Sequence, residues 1–347
     1  MIASVTRHVW VGTGVPARLA RGVLYPLEAA YAAAVTVRRA LYDRGVLRSF
    51  ALPMPSVSVG NLTVGGTGKT PVSAWLVGQL ASRGARPAIV LRDYGGDEGL
   101  VHAALNPGAP VITGADRVEA VRRARSAGAD VVVLDDAFQH RRARRDADVV
   151  LVSADGWAAS RRLLPAGPWR EPLSSLGRAS LIIVTRKAAS ASAVEDVFAA
   201  VGARAAHVPR ALARLAPGAI VEAHGAIDRA LGAIAGMSVL AVAGVADPAA
   251  FTRQLEALGA RVTVRAYPDH YRFTASDAER LARHGARADF VVCTLKDAVK
   301  LAPVWPRGGP ALWYLSQQVI LERGRPDVER LIEEILEARA RYSRTAG

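Results

Sequence analysis

Two stretches of the chain bring together residue types that handle phosphate. The first, SVSVGNLTVGGTGKTP at residues 56–71, follows the phosphate-binding pattern G-x-x-x-x-G-K-[ST], except that Thr63 stands where the first glycine is expected. Gly65, Gly66 and Gly68 free the backbone from Thr63 through Val64 and Thr67 to curl its N–H groups around phosphate oxygens. A helix starting near Lys69 adds the positive end of its dipole. Lys69 can reach terminal phosphates, and the Thr70 hydroxyl is placed to ligate Mg²⁺. The second stretch, DVVVLDDAFQH at residues 130–140, carries Asp135 and Asp136 to the carboxyl end of an apolar strand. Ligands of open α/β sheets bind at that end, and one of the two carboxylates can hold Mg²⁺ directly or through water. Adjacent side chains on a strand point to opposite faces, so the two carboxylates are expected to do different work.

These residues need a sheet to position them, and the order of apolar runs supplies one. SVSVGN, RPAIVL, DVVVLD, DADVVLVSAD and ASLIIVT read as short strands, separated by helical stretches such as GKTPVSAWLVGQLASRG and DRVEAVRRARSAGA. Short buried strands alternating with helices predict a parallel sheet covered on both faces. After about residue 215 the rhythm restarts with MSVLAVAGVADP, RVTVRAYPDH and ADFVVCTLKDAVKL, and it closes on the helical DVERLIEEILEARARY. The expected fold class is α/β: a P-loop NTPase-like parallel-sheet domain with an N-terminal amphipathic helix and a second, smaller α/β domain. The expected boundaries are residues 1–50, 51–215 and 216–347.

The 347 residues suit two domains rather than one core. The single cysteine, Cys293, excludes an internal disulfide and fits a reducing compartment. The N-terminus lacks a continuous apolar run with a cleavage site, so no secretory signal is expected. A net charge of +14 implies an anionic partner: nucleic acid, phospholipid or a phosphorylated substrate. Only four of the 45 basic residues are lysines, at 69, 187, 296 and 300, which makes Lys69 and the TLKDAVK pair more informative than the arginines. Residues 1–50 hold seven arginines against Glu28 and Asp43, with apolar residues recurring at helical spacing from Leu27. The longest apolar stretch there is far short of the roughly 20 residues that span a bilayer. Such a helix lies on an anionic membrane surface or packs on the domain.

SVGNLTVGGTGKTP, LDDAFQHRR, LLPAGPWREP, YPDHYRFT and TLKDAVK occur in that order, and together they resemble the tetraacyldisaccharide 4'-kinase (lipid A 4'-kinase) family over nearly the whole chain. The resemblance implies an enzyme that transfers the ATP γ-phosphate to the 4'-hydroxyl of tetraacyldisaccharide 1-phosphate, making lipid IV-A for lipopolysaccharide. It implies ATP and Mg²⁺, a site between two α/β domains that close on ATP, and peripheral attachment to the cytoplasmic face of the inner membrane. It also turns the basic N-terminal helix toward an interfacial role. By matching family strings, Asp97 in YGGDEG becomes the base for the acceptor hydroxyl, and His270 in YPDH the histidine that pairs with it.

The chain departs from the family pattern in places. Where the family reads SRGYGG this sequence reads LRDYGG, and the segment before GDE is shortened until the two strings abut. Asp93 is therefore a second candidate for the base. Ala137 replaces the glycine usual after the paired aspartates. Gln139 and His140 extend the carboxylate loop toward the nucleotide or serve as structural caps. Among the arginines, Arg141, Arg142, Arg144 and Arg145 form a partly solvated face with one or two available to a saccharide phosphate. Arg170 in GPWREP is the better phosphate ligand, because a forked guanidinium matches phosphate oxygens. Lys296 and Asp297 form an ion pair across the cleft or a salt bridge at the strand end. A competing reading is a membrane-associated P-loop ATPase switch, but such switches of the deviant type place a lysine where Val64 stands. A nucleic-acid-binding NTPase rests on charge alone, and no nucleic-acid module supports it.

Overall fold

The computed structural model describes residues 9, 10, 12, 14–92, 96–157, 161–225 and 227–345, with the side chains of 343–345 excluded. Asp93, the alternative base, lies outside the described residues. The chain divides into two compact units. One comprises Met1–Arg92, Asn106–Leu215 and Val319–Gly347; the other comprises Asp93–Leu105 and Ala216–Gln318.

The first helix of this unit with described bounds is α1, Val15–Asp43. Pro16 falls in its first turn, where a missing N–H costs nothing, and the helix continues through Pro26. It therefore begins a dozen residues before the Leu27 periodicity. Ala17 is its only fully buried residue, and Val15, Leu19, Val23 and Leu27, four apart, form an exposed apolar stripe. No helix among the described residues is long and apolar enough to cross a membrane. Strand β1 (Phe50–Ala51) follows, then the central strand β2 (Ser56–Asn61), helix α2 (Lys69–Ala81) and strand β3 (Pro87–Leu91). Helix α3 (Asp97–Leu105) belongs to the second unit. The first unit resumes with β4 (Val111–Thr113), α4 (Arg117–Ser126), β5 (Val131–Asp135), β6 (Ala143–Arg144), β7 (Ala147–Ser153), β8 (Leu181–Arg186) and α5 (Ala191–Arg204).

Its main sheet runs β8-β7-β2-β5-β3-β4, all parallel, flanked beside β8 by the start of β9 (Arg210–Glu222). Register pairs Val59 with Asp135, so the loop after β2 and the carboxylates after β5 emerge at the same end. Because side chains alternate along a strand, Val57, Val59, Ile89, Val131 and Val133 pack under α2 on one face. Val90, Val132 and Leu134 meet α4 on the other face, while Ile182 and Val184 meet α5. Burial on both faces explains why these strands read as continuous apolar runs.

In the second unit β10 (Asp228–Arg229) pairs antiparallel with the end of β9. Then come β11 (Ser238–Ala243), α6 (Pro248–Ala257), β12 (Arg261–Ala266), α7 (Ala275–Gly285), β13 (Phe290–Thr294), α8 (Leu295–Leu301) and β14 (Leu312–Arg323). The parallel order is β12-β11-β13-β14. Its core places Leu240, Val242, Leu281 and Val291 on one face, and Val239, Ala241, Leu255 and Val292 on the other. The closing helix α9 (Arg325–Thr345) corrects the expected boundary of 216–347. Its Val328, Leu331, Ile332 and Ile335 join the core that α2 covers, so residues 319–347 fold with the first unit. The 93–105 segment moves the other way, because α3 packs on α8.

Candidate active site

The phosphate loop is shaped by the two glycines whose backbone needs it. Gly65 and Gly68 take φ of 116° and 91°, left-handed values that favour glycine, whereas Gly66 does not. Gly68 caps α2, so the loop delivers its N–H groups to the positive end of a 13-residue helix. Thr67 is pinned from two sides: the Asn61 amide donates to its hydroxyl at 2.7 Å, and the Thr185 hydroxyl donates to its carbonyl at 2.9 Å. Thr63, the apparent defect, forms an isolated antiparallel bridge with Trp169, and Val64 N–H donates to the Pro168 carbonyl at 2.8 Å. An extended, bridged residue has no use for glycine. The GPWREP segment thus acts as a short strand that fixes where the loop begins.

Lys69 opens α2, with its Nζ 4.0 Å from Asp136 Oδ1. Asp135 and Asp136 occupy different surroundings. Asp135 ends β5, is buried, and accepts from the Ser73 hydroxyl at 3.0 Å. Asp136 leaves the strand with a left-handed φ of 50° and remains half-exposed. Arg170 grips both of its oxygens, at 2.7 and 3.1 Å. Burial alone would raise the Asp136 pKa, but the Arg170 hydrogen bonds and the charges of Lys69 and Arg170 outweigh it and hold the carboxyl below the usual range.

The remaining first-unit candidates are placed as follows. Arg170 is committed to Asp136 and also bonds Asn61 Oδ1, so it organises the carboxylate as well as presenting charge. Gln139 turns its amide onto the Asn61 carbonyl at 2.8 Å, a structural cap. His140 is largely buried, its Nε2 without a hydrogen-bond partner among the described residues. Burial first, then the charges of Arg117 and Arg145, push its pKa down to about 4 and keep it neutral. In the arginine run, Arg145 is buried on Asp148 and Arg141 pairs with Asp43 at the end of α1. Sequence reasoning passed over Asn61, Ser73 and Thr185. The only local signal was a polar residue inside or at the end of an apolar strand or helix.

Within the second unit Asp97 and His270, 173 residues apart, meet. Asp97 lies in the first turn of α3, 4% exposed, and His270 Nδ1 stands 2.9 Å from its Oδ2. His270 holds a left-handed φ of 58°, uncommon for a side chain with a Cβ. Lys300 Nζ approaches the same Oδ2 at 3.8 Å, while Asp97 Oδ1 is buried without a hydrogen-bond partner among the described residues. The expected Lys296–Asp297 pair is corrected: Asp297 faces Lys300 at 3.4 Å, one helical turn on, because i and i+3 share a helix face.

A parallel sheet whose central strand leads through a glycine loop into a Lys-Thr helix start, with paired aspartates after the neighbouring strand, is that of a P-loop NTPase-like protein. The comparisons narrow the class. A family model described as tetraacyldisaccharide-1-P 4'-kinase matches residues 20–101 and 95–337, the overlap falling on the GDEG string. The tetraacyldisaccharide 4'-kinase of Anaeromyxobacter dehalogenans is 41% identical over 311 residues, covering 82% of each chain. That of Halorhodospira halophila is 39% identical over 329 residues, covering 89% of this chain and 91% of the relative. The LpxK structure from Aquifex aeolicus, solved in complex with ATP, superposes with a TM-score of 0.73 at 28% identity, covering 92% of this chain and 99% of that one. The chain belongs to the tetraacyldisaccharide 4'-kinase family.

Proposed function

We propose that the chain transfers the γ-phosphoryl group of ATP to the 4'-hydroxyl of tetraacyldisaccharide 1-phosphate, giving lipid IV-A at the cytoplasmic face of the inner membrane. Family membership supports the reaction. The chemistry rests on one observation above the others: Asp97 is buried, oriented through one oxygen by His270, and leaves the other oxygen unpartnered among the described residues. That oxygen is suited to take the proton of the attacking hydroxyl.

Phosphoryl transfer needs positioning and charge stabilisation more than covalent chemistry. We assign the triphosphate to the backbone of residues 63–68 at the start of α2, with Lys69 on its terminal phosphates. The hard oxygen donors of Thr70, Asp135 and Asp136 suit Mg²⁺, which when bound offsets the charge on the β- and γ-phosphates. Arg170 already holds both oxygens of Asp136, so we assign the metal-facing role to Asp135 and the organisation of Arg170 and Lys69 to Asp136. Gln139 and His140 support the loop from behind. The exposed stripe of Val15, Leu19, Val23 and Leu27 on α1, in an arginine-rich segment, supports a peripheral seat on anionic lipid.

The test is direct: purified protein, ATP, Mg²⁺ and tetraacyldisaccharide 1-phosphate, with product followed by chromatography. Phosphorylated lipid is expected. Steady ATP hydrolysis with no phosphorylated lipid would overturn the reading in favour of an ATPase.

A further inference from the structure

The second unit contains a buried carboxylate, Asp297, and a buried ammonium, Lys300, that the reaction described above does not use. Asp297 is wholly buried in the first turn of α8. Its Oδ2 accepts from Gly244 N–H at 2.9 Å and from the Thr294 hydroxyl at 2.7 Å, which ties it to the ends of β11 and β13. Gly244 has to be glycine, since a Cβ there would stand 2.8 Å from Asp297 Oδ1. That Oδ1 faces Lys300 Nζ at 3.4 Å. Lys300 in turn lies 3.8 Å from Asp97 Oδ2, with its ammonium 5.7 Å from the centre of the Phe273 ring. A buried ammonium is retained only where charges pair it, and here it sits between two carboxylates.

The arrangement is one-sided. His270 Nδ1 lies 2.9 Å and Lys300 Nζ 3.8 Å from Oδ2 of Asp97, while Oδ1 has no hydrogen-bond partner among the described residues. We propose that Lys300, anchored by Asp297, is a positioning residue that fixes the Asp97 carboxylate so that Oδ1 alone takes the acceptor proton. The proposal rests on Asp97 being the base. Of the two cationic side chains that meet Asp97 among the described residues, Lys300 is an ammonium and His270 is charged only when protonated. Among the described residues, the charged and titratable groups on the elements around Asp97 are Lys300 and Asp297 from α8, His270 and Asp269 from the turn after β12, and Glu98 and His102 on α3 itself. Removing the Lys300 cation leaves Asp97 facing a second carboxylate without its counter-charge, which favours the protonated, inactive acid.

The experiment compares pH–rate profiles of the full-length wild type, Lys300→Met, Lys300→Arg and Asp97→Asn, with ATP and the lipid acceptor. Lys300→Met is expected to lower kcat at neutral pH by tenfold or more, leave KM for ATP within about twofold, and move the acid limb up by about one pH unit. Lys300→Arg restores the position of the limb even where kcat stays low. A uniform loss at every pH, with the limb unmoved, overturns the proposal by reducing Lys300 to packing. Thermal melts of the variants identify unfolding, and Lys300→Gln carries the test if Lys300→Met does not fold: an acid limb moved up supports the proposal, and an unmoved limb overturns it. Asp97→Asn separates the two readings. If Asp97→Asn retains transfer, the base assignment falls and this proposal with it. If that variant is dead while Lys300→Met behaves as wild type, only the role of Lys300 falls.

Discussion

His140 and Asp97 are both enclosed, yet their neighbours give them opposite uses. Around His140, Arg117 and Arg145 join burial in excluding a proton, and its pKa falls from 6.5 to about 4. Between those values the unfolded chain binds a proton that the folded chain refuses. This contribution to stability is therefore complete above pH 6.5 and declines as pH falls toward 4, with a limiting slope of about 1.4 kcal/mol per pH unit for one proton. Replacing His140 by Gln should flatten that slope, read by urea denaturation at pH 5 and pH 7. Asp97, by contrast, keeps one oxygen without a hydrogen-bond partner among the described residues, which suits the base role proposed for it. Asp97→Ala is expected to lose at least a hundredfold in kcat with ATP binding intact, and Asp93→Ala far less. The reverse ranking in a turnover assay would move the catalytic role to Asp93. Lys69→Ala should abolish transfer while melting like wild type; near-normal transfer would refute the phosphate assignment.

The loop and the helix behind it depend on the left-handed backbone at Gly65 and Gly68, and not on Gly66. A methyl at Gly68 meets a φ of 91° and the Leu215 Cδ1 at 2.4 Å, whereas a methyl at Gly66 meets nothing within 4 Å. Gly68→Ala should cost about 1–3 kcal/mol and weaken ATP binding, while Gly66→Ala leaves thermal stability nearly unchanged. Comparing the two melts and ATP titrations tests whether helix-start geometry or glycine content makes the site. Much of this element was legible in GGTGKT, because a glycine turn into a helix is settled by local sterics. Thr63 was not, because the bridge to Trp169 joins residues more than a hundred positions apart. Helix α1 was legible only in part: the Leu27 periodicity marked it, but the stripe from Val15 became visible once the backbone was seen to continue through Pro26.

In the proposed seat on anionic lipid, the net charge of +14 and the exposed apolar stripe on α1 have separable contributions. Charge attraction to an anionic surface is screened over a Debye length of about 10 Å at about 0.1 M salt, whereas insertion of apolar side chains is not. Sedimentation with anionic vesicles should accordingly weaken as salt rises without vanishing. Leu19→Ser with Val23→Ser should remove the salt-resistant part and leave turnover on detergent-dispersed lipid unchanged. The sequence by itself determined the elements that depend on neighbouring residues: strands from apolar runs, the glycine loop, the paired aspartates and the basic first segment. Only the tertiary structure decided what depends on distant segments meeting. It assigned α9 to the first unit and residues 93–105 to the second, turned Arg170 onto Asp136, and paired Asp297 with Lys300 rather than Lys296. It also brought His270 to Asp97. Steric limits and side-chain periodicity act within a few residues, so they can be read along the chain. Burial and charge pairing are fixed by which surfaces the crossovers bring together, and no local pattern encodes that.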